Sequence, residues 1–346
     1  MSLRRQIRNA AVAPAAALAA IFLGALGVAT WRVGAAVEAE VGALARDRLE
    51  RAVSDFRLAC ATAQEELARR LDAAARVAAD VLARGGGFSL GEDRVSWQAV
   101  SQADGGAREV SVREPFVGED PVVRNADFAA PSPVVDEVTR LTAAAATLFL
   151  RMDEEGNMLR VATSVKAKDG RRAVGTYVPA RGADGPNPVV AAVLRGERYV
   201  GRAFVVDAWY VTSYQPLRGP GGEVVGMLFV GVRQDALAGV QRAMQETRLG
   251  ATGAIAVLGA KGAQRGRPIF DAAGWKAGED VSAVADARTG RRVLDQMIDA
   301  APRLAAGSLA TDTWTRPGHD GAPDRDRLLA YGYFAPWDWV LMAAMD

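Results

Sequence analysis

Apolar residues recur at steps of three and four between positions 33 and 83, at Val37, Val41, Leu44, Val53, Phe56, Cys60, Ala63, Leu67, Leu71, Ala74, Ala78 and Val81. That period marks one face of a helix, and no proline interrupts the chain between Pro14 and Pro115. The opposite face carries Arg46, Asp47, Glu50, Arg51, Glu65, Glu66, Arg69 and Arg70. A helix of roughly 50 residues reaches about 75 Å at 1.5 Å per residue. Its stripe suits docking against the protein's own domains, a coiled-coil-like seam with a second copy, or both at different heights. Arg84-Gly-Gly-Gly87 predicts its end and a domain boundary, because glycine accepts the left-handed conformations of helix caps.

Ahead of this helix, residues 10–30 form an uncharged run of 21, which at helical rise covers roughly 30 Å, the hydrocarbon thickness of a bilayer. Arg4, Arg5 and Arg8 precede it and Glu38 and Glu40 follow, so a basic N-terminus (1–9) is expected in the cytoplasm, a transmembrane helix at 10–31 and everything beyond outside. Pro14 suits a helix entry and Trp31 an interfacial anchor. A cleaved signal peptide is the rival reading, but its apolar region is shorter.

Beyond Gly87 the period moves towards two, with β-like runs at 148–152, 159–165, 199–206, 209–216 and 224–232. The turns Asp153-Glu-Glu-Gly-Asn157 and Arg218-Gly-Pro-Gly-Gly222 predict hairpins and an antiparallel meander. A short helix is expected over 188–197, and a linker helix over 233–249. From 250 to 346 the grammar repeats: strands at 254–258, around 268–270, 308–315, 328–334 and 339–344, with a helix over 290–301. The predicted fold class is α+β: the transmembrane helix, a long helix at 32–84, and two antiparallel-sheet domains in tandem at 85–232 and 250–346.

With 50% hydrophobic and 24% charged residues among 346, the chain can build about two packed cores. A net charge of +1 provides no basic field for nucleic acid. One cysteine, Cys60, and one histidine, His319, are too few for an internal disulfide or a closed zinc site, so no metal and no cofactor is expected. Cys60 lies on the apolar stripe and reads as a small buried residue. Gly250-Ala-Thr-Gly253 precedes a strand, whereas a dinucleotide loop follows one. His319 sits among turn residues, and no Gly-x-Ser-x-Gly elbow presents a serine, so no enzyme is expected.

Arg160, Thr163, Arg172, Thr176, Tyr199, Arg202, Trp209, Tyr210 and Tyr214 are polar or aromatic at sheet positions where packing does not require them, and they form the candidate ligand site. Arginine forks a carboxylate with two parallel hydrogen bonds, hydroxyls add orientation and aromatic faces enclose the rest, so an organic acid or amino acid suits. Only four of the 42 basic residues are lysine, which lowers the weight of any single arginine.

An ordered series of short motifs resembles the Cache 3/Cache 2 fusion sensor domain of methyl-accepting chemotaxis receptors. It comprises Val134-Val-Asp-Glu-Val138, Thr147-Leu-Phe149, Met158-Leu-Arg-Val-Ala-Thr163, Gly170-Arg-Arg-Ala-Val-Gly-Thr176, Gly196-Glu-Arg-Tyr-Val-Gly201, Trp209-Tyr-Val-Thr-Ser-Tyr214, Gly226-Met-Leu-Phe-Val-Gly-Val232, Gly250-Ala-Thr-Gly253 and Tyr333-Phe-Ala-Pro-Trp-Asp-Trp-Val340. The resemblance implies a double Cache, PAS-like sensor of small molecules, periplasmic, anchored in the inner membrane and working as a homodimer, in which ligand shifts the long helix. Ala143 to Ala146, Ala254 and Phe270-Asp271 depart from its pattern, which bears on the second pocket. Such receptors continue into a second membrane helix, a HAMP linker and a cytoplasmic signalling domain, and the chain is expected to be a fragment of one. The alternatives are the sensor of a histidine kinase or cyclic-dinucleotide enzyme, or an envelope scaffold that binds nothing small.

Overall fold

A computed structural model of the chain describes residues 3–182, 185–205, 208–233, 238–247, 249–250, 252–316, 318 and 324–346, without the side chains of residues 3–29, 204, 208, 209 and 238. His319 lies outside the described residues. Helix α1 (Leu3–Arg84) is unbroken. Among the described residues no helix is long and apolar enough to cross a membrane; the side chains of 10–29, on which the expected span rests, lie outside them. The chain divides into two compact units, Ala59–Arg242, and Ala243–Asp346 with Met1–Leu58.

In the Ala59–Arg242 unit, α1 buries Cys60, Leu67, Leu71, Ala74, Ala78 and Leu82. Each leucine removed from water contributes about 1.5–3 kcal/mol, which fixes the helix through one face. The glycine run ends it as the sequence predicts. Gly86 has φ +96°, and a Cβ there would stand 2.5 Å from the Gly118 Cα, so both the dihedral and the space require glycine.

A nine-stranded sheet follows. It is built from β1 (Phe88–Ser101), β2 (Ala107–Val117), β3 (Asp120–Pro121), β4 (Ala145–Arg151), β5 (Met158–Thr163), β6 (Thr176–Val178), β9 (Tyr199–Val205), β10 (Ala208–Arg218) and β11 (Val224–Arg233). A separate small ribbon pairs β7 (Arg181–Gly182) with β8 (Gly185–Pro186), and the helices of the unit are α2 (Pro133–Thr142) and α3 (Pro188–Leu194). The strand order is β3-β2-β1-β6-β5-β4-β11-β10-β9. The hairpins β4–β5 and β10–β11 agree with the predicted turns. The expected simple meander does not hold, because β11 returns to pair with β4 and places β4 in the middle of the sheet, while β1 joins β6 in parallel. Helix α3 is capped by Asn187, whose side chain accepts from the Val189 and Val190 amides, and it presses Val189, Val190 and Val193 onto one sheet face.

In the other unit, α4 (Ala238–Glu246) is followed by β12 (Ala254–Gly259), α5 (Val293–Ala300), β13 (Leu309–Arg316), β14 (Arg325–Phe334) and β15 (Trp339–Met345), with sheet order β12-β15-β14-β13. The strand expected around 268–270 is absent; Pro268 makes only an isolated bridge to Leu258. Val293, Leu294, Met297 and Ile298 of α5 pack on Ala256, Leu258, Trp314, Leu329, Val340 and Met342. At the β14–β15 corner Trp337 meets Phe334 and Trp339 edge-on, at 4.9 and 4.6 Å between ring centres. The molecule is of mixed α+β class, with a long N-terminal helix and sheet-rich units.

Candidate functional site

Strand register turns the α3-facing side of the nine-stranded sheet into a grid. One row runs Tyr199–Tyr214–Phe229–Thr147–Thr163 across five strands. The row on one side of it contains Met227, Phe149 and Arg160. The row on the other side is Gly201–Thr212–Gly231–Ala145, made almost entirely of small residues. Aromatic rings lean over that shallow row. A Cβ on Gly201 would stand 2.6 Å from the Tyr199 hydroxyl, and one on Gly231 would stand 2.5 Å from Phe229 Cζ and 3.0 Å from Tyr210 Cδ1. Tyr214 meets Phe229 at 5.0 Å, Tyr199 at 6.2 Å and Phe149 at 6.5 Å between ring centres.

Arg160 stands at the border of this aromatic group and is 1% exposed. Its guanidinium lies 5.0 Å from the centre of the Phe149 ring. One terminal nitrogen donates to Thr176 Oγ1, the other is 3.5 Å from Gln102 Oε1, and Nε has no partner. Among the described residues no carboxylate pairs with it. Burial pulls the Arg160 guanidinium down to about 10, while Tyr214 and Tyr210 act in the opposite direction. Burial likewise pushes the Tyr214 and Tyr199 phenols up, so both are neutral hydrogen-bonding groups at physiological pH. A buried cation without a counter-charge carries a desolvation cost that an entering anion would offset.

Arg172 has the opposite surroundings. Its terminal nitrogens donate to Asp136 Oδ1 and Oδ2 at 2.7 and 2.9 Å and to the Thr163 and Ala130 carbonyls, and its Nε to the Asp127 carbonyl at 3.1 Å. Phe128 covers it, with 4.4 Å between guanidinium carbon and ring centre. These bonds use all five N–H donors and tie the 127–130 segment and the first turn of α2 to the sheet. Thr163 shares a 2.6 Å hydroxyl contact with Thr147.

Of the residues singled out from sequence, the structure brings Arg160, Thr176, Tyr199, Tyr210 and Tyr214 together. Thr163 borders them, Arg172 is committed to the α2 clamp, and strand alternation places Arg202 on the reverse face of β9 from Tyr199. Trp209 pairs with Phe204 in the backbone ladder, and its side chain lies outside the described residues. Phe149, Phe229, Thr147, Gln102 and the glycines 201 and 231 also belong to the site. Phe149 and Phe229 carry no polar atom that would single them out in the sequence, and no local pattern joins Gln102 to a strand 58 residues away.

The Cache 3/Cache 2 fusion domain family matches residues 35–346, and the chain belongs to that family. No curated protein matches it. Among solved structures, a methyl-accepting chemotaxis protein from Vibrio parahaemolyticus is 18% identical over 32% of this chain and 70% of its own, with a TM-score of 0.25. A Cache chemosensory domain described for carboxylic acid recognition is 14% identical over 33% and 73%, with a TM-score of 0.26. The sensor domain of the V. cholerae histidine kinase DctB is 12% identical over 61% and 75%, with a TM-score of 0.33.

Proposed function

We propose that the chain is the extracytoplasmic small-molecule sensing module of a membrane-anchored bacterial chemoreceptor, and that its ligand is a small organic acid or amino acid held at Arg160. The observation that carries this reading is a fully buried guanidinium with a free Nε–H, no carboxylate partner among the described residues and an aromatic surround. A carboxylate there gains charge-assisted hydrogen bonds in a low-dielectric site, while Tyr199, Tyr214 and Phe149 enclose its carbon skeleton. Thr176 orients the guanidinium from its other side.

The span at 10–31 holds the module to the inner membrane, and the sheet domain at 85–232 receives the ligand. The module works as a homodimer through the upper part of α1, where Val33, Val37, Val41 and Leu44 form an exposed apolar stripe at helical spacing. Ligand shifts the balance between two packings of the long helix, and no step of this function is catalytic. The test is thermal denaturation of the full chain in detergent against organic acids, amino acids, purines and amines. At least one acid raises the midpoint in wild type and not in Arg160→Gln. Silence from every acid, confirmed by calorimetry, defeats the proposal.

A further inference from the structure

A second concentration of arginine lies in the other unit, unrelated to Arg160. Arg316, at the end of β13, is directly opposite Arg325 in the strand register, and Arg327 follows two residues on along the same face of β14. Like charges at opposed positions of an antiparallel pair work against strand pairing. Among the described residues a single carboxylate side chain serves the group. Asp346 accepts from Arg327 Nε at 2.6 Å and from Arg325 Nη1 at 2.7 Å, and Arg327 Nη2 also donates to the Thr252 carbonyl at 2.9 Å.

Arg316 receives no such help. Among the described residues no acceptor meets its guanidinium, which lies 5.3 Å from the centre of the Trp275 ring. Its pKa is lowered, chiefly by burial and then by Arg327, with Asp346 acting the other way. Trp314, two residues before it on the same strand face and opposite Arg327, is 2% exposed, and its indole N–H has no partner. Among the described side chains, Arg325 and Arg327 share one carboxylate, Arg316 is left without an acceptor, and the group borders a buried donor that is also unused.

We propose that Arg316, Arg325 and Arg327 form an anion site in the Ala243–Asp346 unit, and that it takes a doubly charged phosphate monoester group. An unmatched guanidinium beside two that share a single side-chain carboxylate suits a multiply charged anion, and three planar forks can engage its oxygens from separate sides. That group is present both in soluble phosphate compounds and in the headgroup of phosphatidic acid.

The test is calorimetric titration of the full chain in detergent at neutral pH and low salt, with inorganic phosphate and, separately, with dihexanoyl phosphatidic acid against dihexanoyl phosphatidylcholine. Wild type binds phosphate or phosphatidic acid at one site and ignores phosphatidylcholine. Arg316→Gln weakens that binding about tenfold or more, as expected for the loss of one charge-assisted contact, while Arg160→Gln leaves it unchanged. Equal affinity for both probes assigns a soluble phosphate as the source. Preference for phosphatidic acid assigns the lipid. Should Arg316→Gln lose its circular-dichroism signature of folding, Arg325→Gln replaces it, because that side chain is 55% exposed and outside the core. Absence of binding of either probe to wild type, or binding unaltered in the folded arginine variant, overturns the proposal.

Discussion

Arg160 on β5 and Arg172 in the segment between β5 and β6 are buried to nearly the same degree, and they differ in what meets the charge. Arg172 has a bidentate carboxylate and three carbonyls, whereas Arg160 has one hydroxyl and a distant amide. Asp136→Asn is therefore expected to destabilise the protein by about 2 kcal/mol, since it strands a buried cation whose partner was partly solvated. Urea denaturation measures that loss, and the acid-induced thermal shift persists. Arg160→Gln behaves in reverse: stability holds or rises while the shift disappears. Asp286 provides a pH test. It accepts from the Arg288, Thr289 and Thr315 amides and the Thr289 hydroxyl, and these bonds, led by the Thr315 amide, hold its carboxyl down at about 2 against 3.8. Because the folded value is depressed, its stabilisation is complete above about 4 and is lost as pH falls through about 2. The difference in urea midpoint between wild type and Asp286→Asn should close over that window.

Among the elements, β9 carries Tyr199 into the site and, one residue earlier, Arg198 reaches α1. Arg198 donates to Asp72 of the helix at 2.5 Å and to Ser213 at 2.8 Å. A ligand that moves Tyr199 thus pulls on the helix through its neighbour. Arg198→Ala is expected to keep acid affinity within about twofold, as for an exposed ion pair, while abolishing ligand-dependent change in α1. Spin labels on α1 would read this, and an unchanged response removes the link. The stripe above Leu49 is a second case: Val41→Cys in a Cys60→Ala background should oxidise to a covalent dimer, and a persistent monomer argues against the seam. Long helix, hairpins and most strands were legible because period and turn chemistry are local. The β1–β2 hairpin was not, because Gly91-Glu-Asp-Arg94 breaks alternation where the register shifts between Leu90 and Arg94. The pairing of β11 with β4, and the isolation of Arg160 from any carboxylate among the described residues, are properties of distant segments brought together, so no window of sequence displays them.

At the scale of the whole molecule, the chain belongs to the Cache 3/Cache 2 fusion family, and the proposed export of its units has a direct test. A phosphatase fused after Asp346 should be active in cells if the units lie outside, and inactive if they do not. Export alone does not make a sensor, and the central claim concerns what Arg160 awaits. The most direct measurement is a crystal structure of the protein bound to the acid that gives the largest thermal shift. The account predicts a ligand carboxylate within hydrogen-bond distance of Arg160 Nε, with Tyr199 and Tyr214 against its carbon chain. Electron density for that acid at any other place, with the Arg160 guanidinium still unpaired, would contradict it.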